Sequence, residues 1–300
     1  MVGISGASGF VGENLIKYFG NSKSIKTFSR EELNRFSVSS LDGCISFVHL
    51  AGKAHDLKNS SNPDSYFQIN FELTKKVYDA FLKSETKVFI FISSVKAAAD
   101  LVSGILTEEY EPNPKTVYGK SKLLAERYIQ SQSLPDGKSY FILRPCMIHG
   151  PGNKGNLNLL YKFVSKGIPY PLASFSNSRS FLSVENLCFI IKRLIENGSN
   201  VSSGVYNIAD DEVLSTNDLV SLLAAALNRK VLLWRISPSF LRGLAKIGDK
   251  FSFPLNTERL NKLTENYIVS NEKIKMALDI KMPLSARDGI IITANAFRDE

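Results

Sequence analysis

The feature that most restricts the fold of this chain is a glycine-rich segment that begins at its sixth residue. The apolar run MVGISG predicts a short buried strand, and FVGENLIKYF predicts an amphipathic helix. Gly6, Gly9 and Gly12 stand three residues apart between them, in GASGFVG. A plain strand-to-helix turn is one interpretation. The favoured one is a dinucleotide-binding loop, in which N–H groups at the helix start face a pyrophosphate.

Strands and helices alternate along the first two thirds of the chain. Further strands are predicted at SIKTFSR, CISFVHLAG, KVFIFISS, YFILRP and GVYNIAD, and helices at NFELTKKVYDAFLKS, TVYGKSKLLAERYI and VENLCFIIKRLIEN. The alternation predicts an α/β protein with a Rossmann-type, doubly wound parallel sheet and a smaller C-terminal substrate-binding domain. We expect the dinucleotide-binding domain at 1–155, with 181–210 returning to it, and the substrate domain mainly at 156–300.

Composition excludes several classes of protein. Of the 300 residues, 44% are hydrophobic and no apolar run is long enough to span a membrane, so no stable membrane anchor is expected. No signal sequence precedes the glycine loop, which favours a cytoplasmic location. The three cysteines and three histidines are scattered, which predicts reduced thiols and no metal site. The net charge of +8 is interpreted as a solvated basic surface, or secondly as a preference for a phosphate-rich ligand, and nucleic acid is not an expected partner.

The end of the second predicted strand bears on which nicotinamide cofactor the loop would hold. NAD sites usually place a carboxylate there for the ribose hydroxyls, but this strand ends in Ser29 and Arg30. A guanidinium suits a 2′-phosphate by charge and geometry, so NADP(H) is favoured. NAD(H) is the alternative, in which Arg30 is a surface residue and Glu31 or Glu32 contacts the ribose.

Tyr118 and Lys122 lie one turn apart on the same face of a predicted helix. A tyrosine is a poor base near neutral pH, and a neighbouring ammonium is expected to lower its pKa. Ser94 ends a buried strand, where it is placed to hydrogen-bond a substrate oxygen beside Tyr118. We therefore predict that Ser94, Tyr118 and Lys122 are catalytic residues of a proton-transfer site next to a hydride carrier. Such a spacing is common by chance, and the order of the surrounding motifs favours this interpretation.

With these motifs the sequence resembles the extended short-chain dehydrogenase/reductase family, in its nucleotide-sugar epimerase/dehydratase group. The resemblance covers essentially the whole chain and rests on GASGFVG, HLAGKAH, Asn70 in YFQIN, ISSVKA, YGKSK and LRPCMIHGPG. It implies Tyr118 as the acid/base, Lys122 as its electrostatic partner and Ser94 as the substrate contact. The cofactor-binding residues that follow from the resemblance and from the loops above are Gly6, Ser8, Gly9, Phe10, Val11, Ser29, Arg30, Leu50, Ala51, Gly52, Lys53, Tyr118, Lys122 and Pro145.

Three segments, ISSVKA, GNKGNLNLL and SRSFLSVENL, narrow the resemblance to bacterial enzymes that act at C4 of UDP-N-acetylhexosamines for surface polysaccharides. Asn156 and Arg179 match positions that contact the nucleotide diphosphate. Some members are 4-epimerases that retain NAD, and others reduce a UDP-4-keto-6-deoxy-N-acetylhexosamine. The absence of a carboxylate at Ser29-Arg30 favours the NADPH-dependent reductase, in which Lys96 would polarise the C4 carbonyl or hold its oxygen.

Several positions depart from the family pattern. Val95 and Lys96 stand where 4,6-dehydratases carry an Asp–Glu pair, so dehydration is not expected. The segment between Arg30 and Cys44 is short, so the strand it would form is expected to be stunted. His149 stands where the family often has tyrosine, and a packing role is favoured for it.

Three further expectations concern oligomeric state, catalysis and the C-terminal part of the chain. The resemblance implies a homodimer, since family members often pair through helices that would include the Tyr118 helix. A non-catalytic dinucleotide-binding protein is a distant alternative. SPSFLRGLAKIGDKF predicts an amphipathic helix of the small domain, and an inward apolar face is favoured over contact with a membrane surface.

Overall fold

The structure is a computed structural model that describes residues 1–53, 62–153, 155–251 and 256–299. Its strands are β1 Val2–Ser5, β2 Ile25–Phe28, β3 Ser46–His49, β4 Val88–Ile92, β5 Ile105–Leu106, β6 Ser139–Pro145, β7 Met147–His149, β8 Arg179–Ser183, β9 Gly204–Ile208, β10 Val213–Leu214 and β11 Ile268–Val269. Its α-helices are α1 Phe10–Phe19, α2 Arg30–Asn34, α3 Pro63–Phe67, α4 Leu73–Lys83, α5 Val117–Ser131, α6 Asn156–Ser165, α7 Val184–Asn197, α8 Thr216–Ala226, α9 Pro238–Phe251, α10 Thr257–Thr264, α11 Glu272–Leu278 and α12 Ala286–Asp299.

Six strands form one sheet in the order β2-β1-β3-β4-β6-β9. Every neighbouring pair in it is parallel. Strands β1 and β3 are buried at every position, as expected for central strands of a parallel sheet with helices on both faces. The predicted Rossmann-type doubly wound sheet is therefore confirmed.

The order of the strands locates a crevice. From β1 the chain moves outward to the edge strand β2 and then crosses to β3 on the other side of β1. In sheets of this kind, ligands bind at that reversal, outside the carboxyl ends of the strands. The residues that end or follow β1, β3, β4 and β6 therefore meet at one edge of the sheet, and these segments hold the glycine loop, Leu50, Ser94 and Pro145.

The sheet ends at β2, and no strand lies outside it in the described ranges. The segment that follows β2 forms α2 and a 3₁₀ turn at Val38–Leu41 instead. The rings of Phe28 on β2, Phe36, and Phe47 on β3 pack with centroids 5.3–5.5 Å apart, on one face of the sheet across β1. The strand that the short segment was expected to stunt is therefore not formed at all between β2 and β3.

A second hydrophobic cluster lies among the C-terminal elements. Strands β7, β8 and β10 form a small sheet with β8 in its centre, and β5 pairs with β11. Helices α6, α8 and α12 pack together around Leu157, Leu223 and Ile290. Strand β9 instead joins the main sheet, and α7 packs against α1.

Helix α9 does not bury its apolar residues as expected. Leu241 and Ala245 are buried in the C-terminal cluster, whereas Phe240, Leu244 and Ile247 are exposed. The prediction of an inward apolar face was wrong for these three residues, because packing uses a neighbouring stripe of the same helix. None of the helices in the described part of the chain is both long and apolar enough to cross a membrane.

Candidate functional site

The glycine loop folds tightly against β1 and the segment after β3. Gly6 has a φ of +71°, and a Cβ there would lie 2.7 Å from the amide nitrogen of Ala51. A Cβ on Gly12 would lie 2.4 Å from the Gly6 carbonyl oxygen. Both positions therefore require glycine, one for its backbone conformation and one for the close approach of helix to strand.

The loop leaves the start of α1 open to an anion. In the described structure no side chain caps α1, whereas α2, α5, α7 and α8 each have a Ser or Thr oxygen bound to their first amides. The side chains of Phe10 and Val11 pack on the main core, so these residues would offer a phosphate their backbone N–H groups. Ser8 is exposed beside them. The loop therefore fits a dinucleotide pyrophosphate.

The end of β2 is organised by a capping box. The Ser29 hydroxyl accepts a hydrogen bond from the Glu32 amide at 3.2 Å, and Glu32 Oε2 accepts one from the Ser29 amide at 2.7 Å. These bonds lower the pKa of Glu32. Arg30 begins α2 and is exposed, and the pairing of Phe28 with Ser5 places it level with the glycine loop. The carboxylate of Glu32 is thus engaged locally, while Arg30 faces solvent.

Helix α5 brings Tyr118 to Ser94. Thr116 caps the helix by accepting a hydrogen bond from the Gly119 amide at 3.2 Å. Burial raises the pKa of Tyr118, and a hydrogen bond with the Ser94 side chain opposes that rise. The expectation that Lys122 lowers this pKa is therefore wrong for the described structure, because burial dominates.

Lys122 is buried one turn further along α5. Its Nζ donates to the Ile92 carbonyl at 2.8 Å and lies 4.7 Å from the centre of the Phe91 ring. Burial lowers the pKa of Lys122 to about 8, against an opposing effect of Glu126. The ammonium is thus held at the carboxyl end of β4, beside Ser94.

Hydrogen bonds connect the segment after β3 to α5 through Asn70. Its Oδ1 accepts from the Lys53 amide at 2.7 Å, and its Nδ2 donates to Ser121 Oγ at 2.9 Å. Ser121 in turn donates to the Tyr118 carbonyl at 2.8 Å. Asn70 lies in a π-helical turn, Gln68–Glu72, a feature that often accompanies functional sites. The segment and the helix that carries Tyr118 are therefore fixed relative to each other.

A second buried chain of hydrogen bonds passes through His49. Ser5 Oγ lies 2.7 Å from His49 Nδ1, and Thr74 Oγ1 lies 3.1 Å from its Nε2. Burial, with a smaller effect of Lys122, lowers the pKa of His49 to about 3. The imidazole is neutral near pH 7 and joins the ends of β1 and β3 to α4.

Sequence reasoning missed a buried ion pair under α5. Glu126 receives hydrogen bonds from Arg144, with Nη2–Oε2 at 2.5 Å and Nε–Oε1 at 3.0 Å, and from the Ser93 hydroxyl. All three side chains are buried. Glu126 follows Lys122 by one helical turn, so the sequence indicates that both lie on the same face of α5. Its partner Arg144 lies on β6, and the sequence does not show that β6 is next to this face.

Two of the predicted substrate residues, Lys96 and Arg179, each contact Tyr267. Lys96 Nζ donates to the Asp100 carbonyl at 2.8 Å and lies 4.5 Å from the centre of the Tyr267 ring. Arg179 pairs through its backbone with Tyr267, and its charge opposes the effect of burial, which raises the pKa of Cys146. Lys96 and Arg179 therefore meet around Tyr267, next to the end of β6.

The remaining predicted residues are placed as follows. Leu50, Ala51 and Gly52 follow β3, and Pro145 ends β6. The Lys53 ammonium is turned to Ser65, at 2.8 Å. Asn156 begins α6, but its side chain lies outside the described part of the structure, as does His55 of the HLAGKAH motif.

His149 is buried away from Tyr118. Its Nδ1 lies 2.9 Å from Thr293 Oγ1, and its Nε2 lies 3.8 Å from Asp210 Oδ2. Its ring packs edge-on against Phe181. These contacts describe a packing position between β7, β8 and α12.

The sheet, the glycine loop and the residues at the crevice define a nicotinamide-dependent class of enzyme. The chain belongs to the NAD dependent epimerase/dehydratase family, whose sequence pattern matches residues 2–209. The resemblance to extended short-chain dehydrogenases/reductases is thereby confirmed. The family joins NAD(P)-dependent epimerases and reductases of nucleotide sugars.

Three relatives illustrate the range of the family. A UDP-glucose 4-epimerase of Vibrio cholerae is 29% identical over 98% of this chain and 94% of its own. An N-acetyl-alpha-D-glucosaminyl-diphospho-ditrans,octacis-undecaprenol 4-epimerase of Escherichia coli O157:H7 is 30% identical over 75% of this chain and 72% of its own. A GDP-6-deoxy-D-mannose reductase of Pseudomonas aeruginosa is 26% identical over 59% of this chain and 61% of its own.

Solved structures share the fold at low sequence identity. A UDP-glucuronic acid 4-epimerase of Bacillus cereus in complex with NAD has a TM-score of 0.75 at 18% identity, over 99% of this chain and 98% of its own. RMD of Pseudomonas aeruginosa, complexed with NADPH, has a TM-score of 0.73 at 18% identity, over 100% of this chain and 99% of its own. The fold is thus found with either cofactor.

Proposed function

We propose that this enzyme uses NADPH to reduce the C4 carbonyl of a UDP-4-keto-6-deoxy-N-acetylhexosamine for surface polysaccharide synthesis. The observation that carries the proposal is the end of β2, where Glu32 is engaged by Ser29 and Arg30 is exposed level with the glycine loop. A guanidinium there suits a 2′-phosphate, and Glu32, one of the two carboxylates that could contact a ribose diol, is already bound to Ser29.

Tyr118 is the proton donor in this proposal. Reduction of a ketone requires a proton at the oxygen, and the nicotinamide supplies the hydride when it is bound. Burial raises the pKa of Tyr118, so the phenol is protonated near neutral pH, as a donor must be. Ser94, which bonds to the same phenol, would orient the C4 oxygen, and Lys122 would hold the ribose.

The diphosphate of the substrate is assigned to Arg179 and Asn156. The names of the three relatives each describe a sugar carried on a diphosphate. A diphosphate is negatively charged, which supports the Arg179 guanidinium as its binding partner. Lys96 would act on the C4 oxygen after exchanging its contact with the Asp100 carbonyl. Since Val95 and Lys96 are not carboxylates, no acid pair is present there for elimination of water.

A second candidate is a UDP-N-acetylglucosamine or UDP-glucose 4-epimerase with retained NAD. It is favoured by the two relatives named 4-epimerases, at 29% and 30% identity. It would use the same Ser94, Tyr118 and Lys122, but Tyr118 would first accept a proton. Because burial raises the pKa of Tyr118, the phenol is protonated at rest, so this route first requires its phenolate to form.

The cofactor decides between the two candidates. The nicotinamide in freshly purified protein is released and identified, and binding of NADPH and NADH to the emptied protein is measured. The proposal predicts an empty protein with NADPH bound about 10- to 100-fold more tightly, a preference that Arg30→Asp abolishes. Arg35→Asp, the same change at an exposed position beside α2, is the control and should keep the preference. Tightly retained NAD without a preference for NADPH would favour the epimerase.

The proposed donor is tested by Tyr118→Phe. Turnover of the 4-keto sugar should fall by about 10²- to 10⁴-fold, because the proton donor is lost, and NADPH binding should fall far less than turnover. Tyr128→Phe removes a hydroxyl from the same helix, where it bonds to Asp79, and should leave turnover near the wild-type rate. Equal turnover of Tyr118→Phe and the wild type would reject the role of Tyr118.

A further inference from the structure

Segment 229–235 and helix α9 both pack on the C-terminal cluster, through Leu233 and Leu241, and both carry exposed apolar and basic side chains. We call the exposed side chains of these two segments the α9 face. Six large apolar side chains on it are at least 41% exposed. They are Val231 at 41%, Leu232 at 46%, Trp234 at 57%, Phe240 at 59%, Leu244 at 41% and Ile247 at 48%. Contiguous exposed apolar residues of this size are uncommon on a monomer and usually mark a contact surface.

The charge of the chain is concentrated on the same surface. Between positions 219 and 248 there are five basic residues and no acidic one, which is +5 of the net +8. These basic residues, all exposed, are Arg229, Lys230, Arg235, Arg242 and Lys246. On α9, the basic stripe of Arg242 and Lys246 lies across the exposed side of the helix from the apolar stripe of Phe240, Leu244 and Ile247. The Arg242 guanidinium also lies 5.9 Å from the centre of the Phe175 ring. The interpretation of the charge as an evenly solvated surface overlooked this region.

Packing fixes the exposed side chains in place. The Tyr170 amide donates to the Leu232 carbonyl at 2.7 Å, and the Trp234 amide donates to the Tyr170 carbonyl at 2.9 Å. Leu233, between them, packs into the C-terminal cluster, so Leu232 and Trp234 point outward as alternate residues of an extended segment. In α9, Leu241 likewise packs into the C-terminal cluster, which leaves its neighbour Phe240 exposed. The exposure therefore results from the register of both segments.

The combination of charge and apolar surface restricts what can cover the α9 face. A second copy in a symmetric pair would place this basic surface against itself, which like charges oppose. The helix expected in a family dimer is α5, which is a separate element. Nucleic acid matches the charge but offers little to a stripe of Leu and Ile side chains. An interface of acyl chains below anionic headgroups matches both properties.

We propose that the α9 face docks reversibly on a membrane surface rich in anionic phospholipid. The apolar stripe would enter the boundary between headgroups and acyl chains, and the basic stripe would lie at the phosphates. Such docking needs no spanning helix. The proposal does not rest on the reductase activity, because it depends only on side chains outside the crevice.

The single tryptophan of the chain, Trp234, provides a direct test. The intact protein is mixed with vesicles of phosphatidylcholine, with and without phosphatidylglycerol, and both co-sedimentation and tryptophan emission are recorded. We expect binding and a blue shift with the anionic vesicles only, and quenching of Trp234 by brominated acyl chains. Binding without any change in Trp234 emission would show that another surface is used and would overturn the proposal.

Matched variants distinguish binding through the α9 face from general electrostatic attraction of a basic protein to anionic vesicles. Lys246→Gln with Lys250→Gln should lower the partition coefficient about 30-fold, from about fivefold for each charge near the surface. Phe240→Ser with Ile247→Ser should lower it on the order of tenfold for each side chain. Lys83→Gln with Lys87→Gln removes two exposed lysines of the dinucleotide-binding part and should change little.

Three further outcomes would overturn the proposal. The first is no binding of the wild type to anionic vesicles. The second is an equal loss of binding in the Lys83/Lys87 control and in the Lys246/Lys250 variant. The third is full binding by the Phe240/Ile247 variant, because attraction would then be purely electrostatic. Thermal unfolding of each variant checks that folding is retained.

Discussion

Helices α5 and α9 depart from the usual distribution of side chains in opposite directions. Helix α5 buries Lys122 and Glu126, whereas α9 exposes Phe240, Leu244 and Ile247. A helix that served packing alone would avoid both arrangements, since buried charge and exposed apolar surface are each unfavourable. In our two proposals, the buried charges of α5 serve the chemistry of the crevice, and the exposed apolar stripe of α9 serves docking on a membrane surface.

The two departures are stabilised differently. In α5 each of the two buried charges has hydrogen-bond partners. Glu126 accepts hydrogen bonds from Arg144 and Ser93, and Lys122 donates one to the Ile92 carbonyl. In α9 the exposed apolar side chains need no such partners. They are exposed in the folded and in the unfolded chain, so they contribute little to the free energy of unfolding. Substitutions should therefore change the free energy of unfolding strongly in α5 and weakly on the exposed stripe of α9.

The largest effect on stability is expected for Glu126→Gln. The change leaves the Arg144 guanidinium buried without a counter-charge, which should lower the free energy of unfolding by about 3–5 kcal/mol in urea titrations. Replacing both partners, Glu126→Leu with Arg144→Met, removes the unpaired charge and should give a stability closer to the wild type. An unchanged free energy in the single variant would contradict a role for this ion pair.

Lys122→Met is expected to stabilise the protein near pH 7 while removing activity. The pKa of Lys122 is about 8 in the fold against a usual 10.5, so its charged form is disfavoured there. The difference corresponds to about 3 kcal/mol, less about 1 kcal/mol for the lost bond to the Ile92 carbonyl. A net gain of about 2 kcal/mol follows at pH 7.

The pH dependence of this gain has a definite sign. Between about pH 8 and 10.5 the unfolded chain binds more protons at this lysine than the fold does, so wild-type stability rises with pH. The advantage of Lys122→Met should therefore shrink over that range and disappear above it. Urea titrations at both ends of the range measure it, with exposed Lys120→Met as the control. An advantage that does not change with pH would disprove burial of the charge as its cause.

The same two helices show what sequence alone could and could not predict. The spacing of Tyr118 and Lys122 was sufficient to predict their common face, because it depends on one helix. The pKa of Tyr118 was not predicted correctly, because burial depends on the surrounding elements. The ion pair of Glu126 with Arg144 was not predicted either, because it depends on where β6 lies beneath α5.

In α9 the helix was predicted correctly, but its orientation was not. Leu241 and Ala245 form one apolar stripe, and Phe240, Leu244 and Ile247 form another. Periodicity cannot choose between them, and the tertiary structure buries the smaller one. The short segment between Arg30 and Cys44, in contrast, predicted a stunted strand, because few residues are available to form one. The structure has helix α2 and a 3₁₀ turn there and no strand.

The smallest effect is expected on the exposed stripe of α9. Ile247→Ser should change the free energy of unfolding by no more than about 0.5 kcal/mol, since the side chain is largely solvated in both states. Leu241→Ala, on the buried stripe of the same helix, should cost about 2–5 kcal/mol because it opens a cavity in the C-terminal cluster. Urea titrations of the two variants test the orientation of α9 directly. If Ile247→Ser were as destabilising as Leu241→Ala, the stripe would be part of the core and could not form a docking surface.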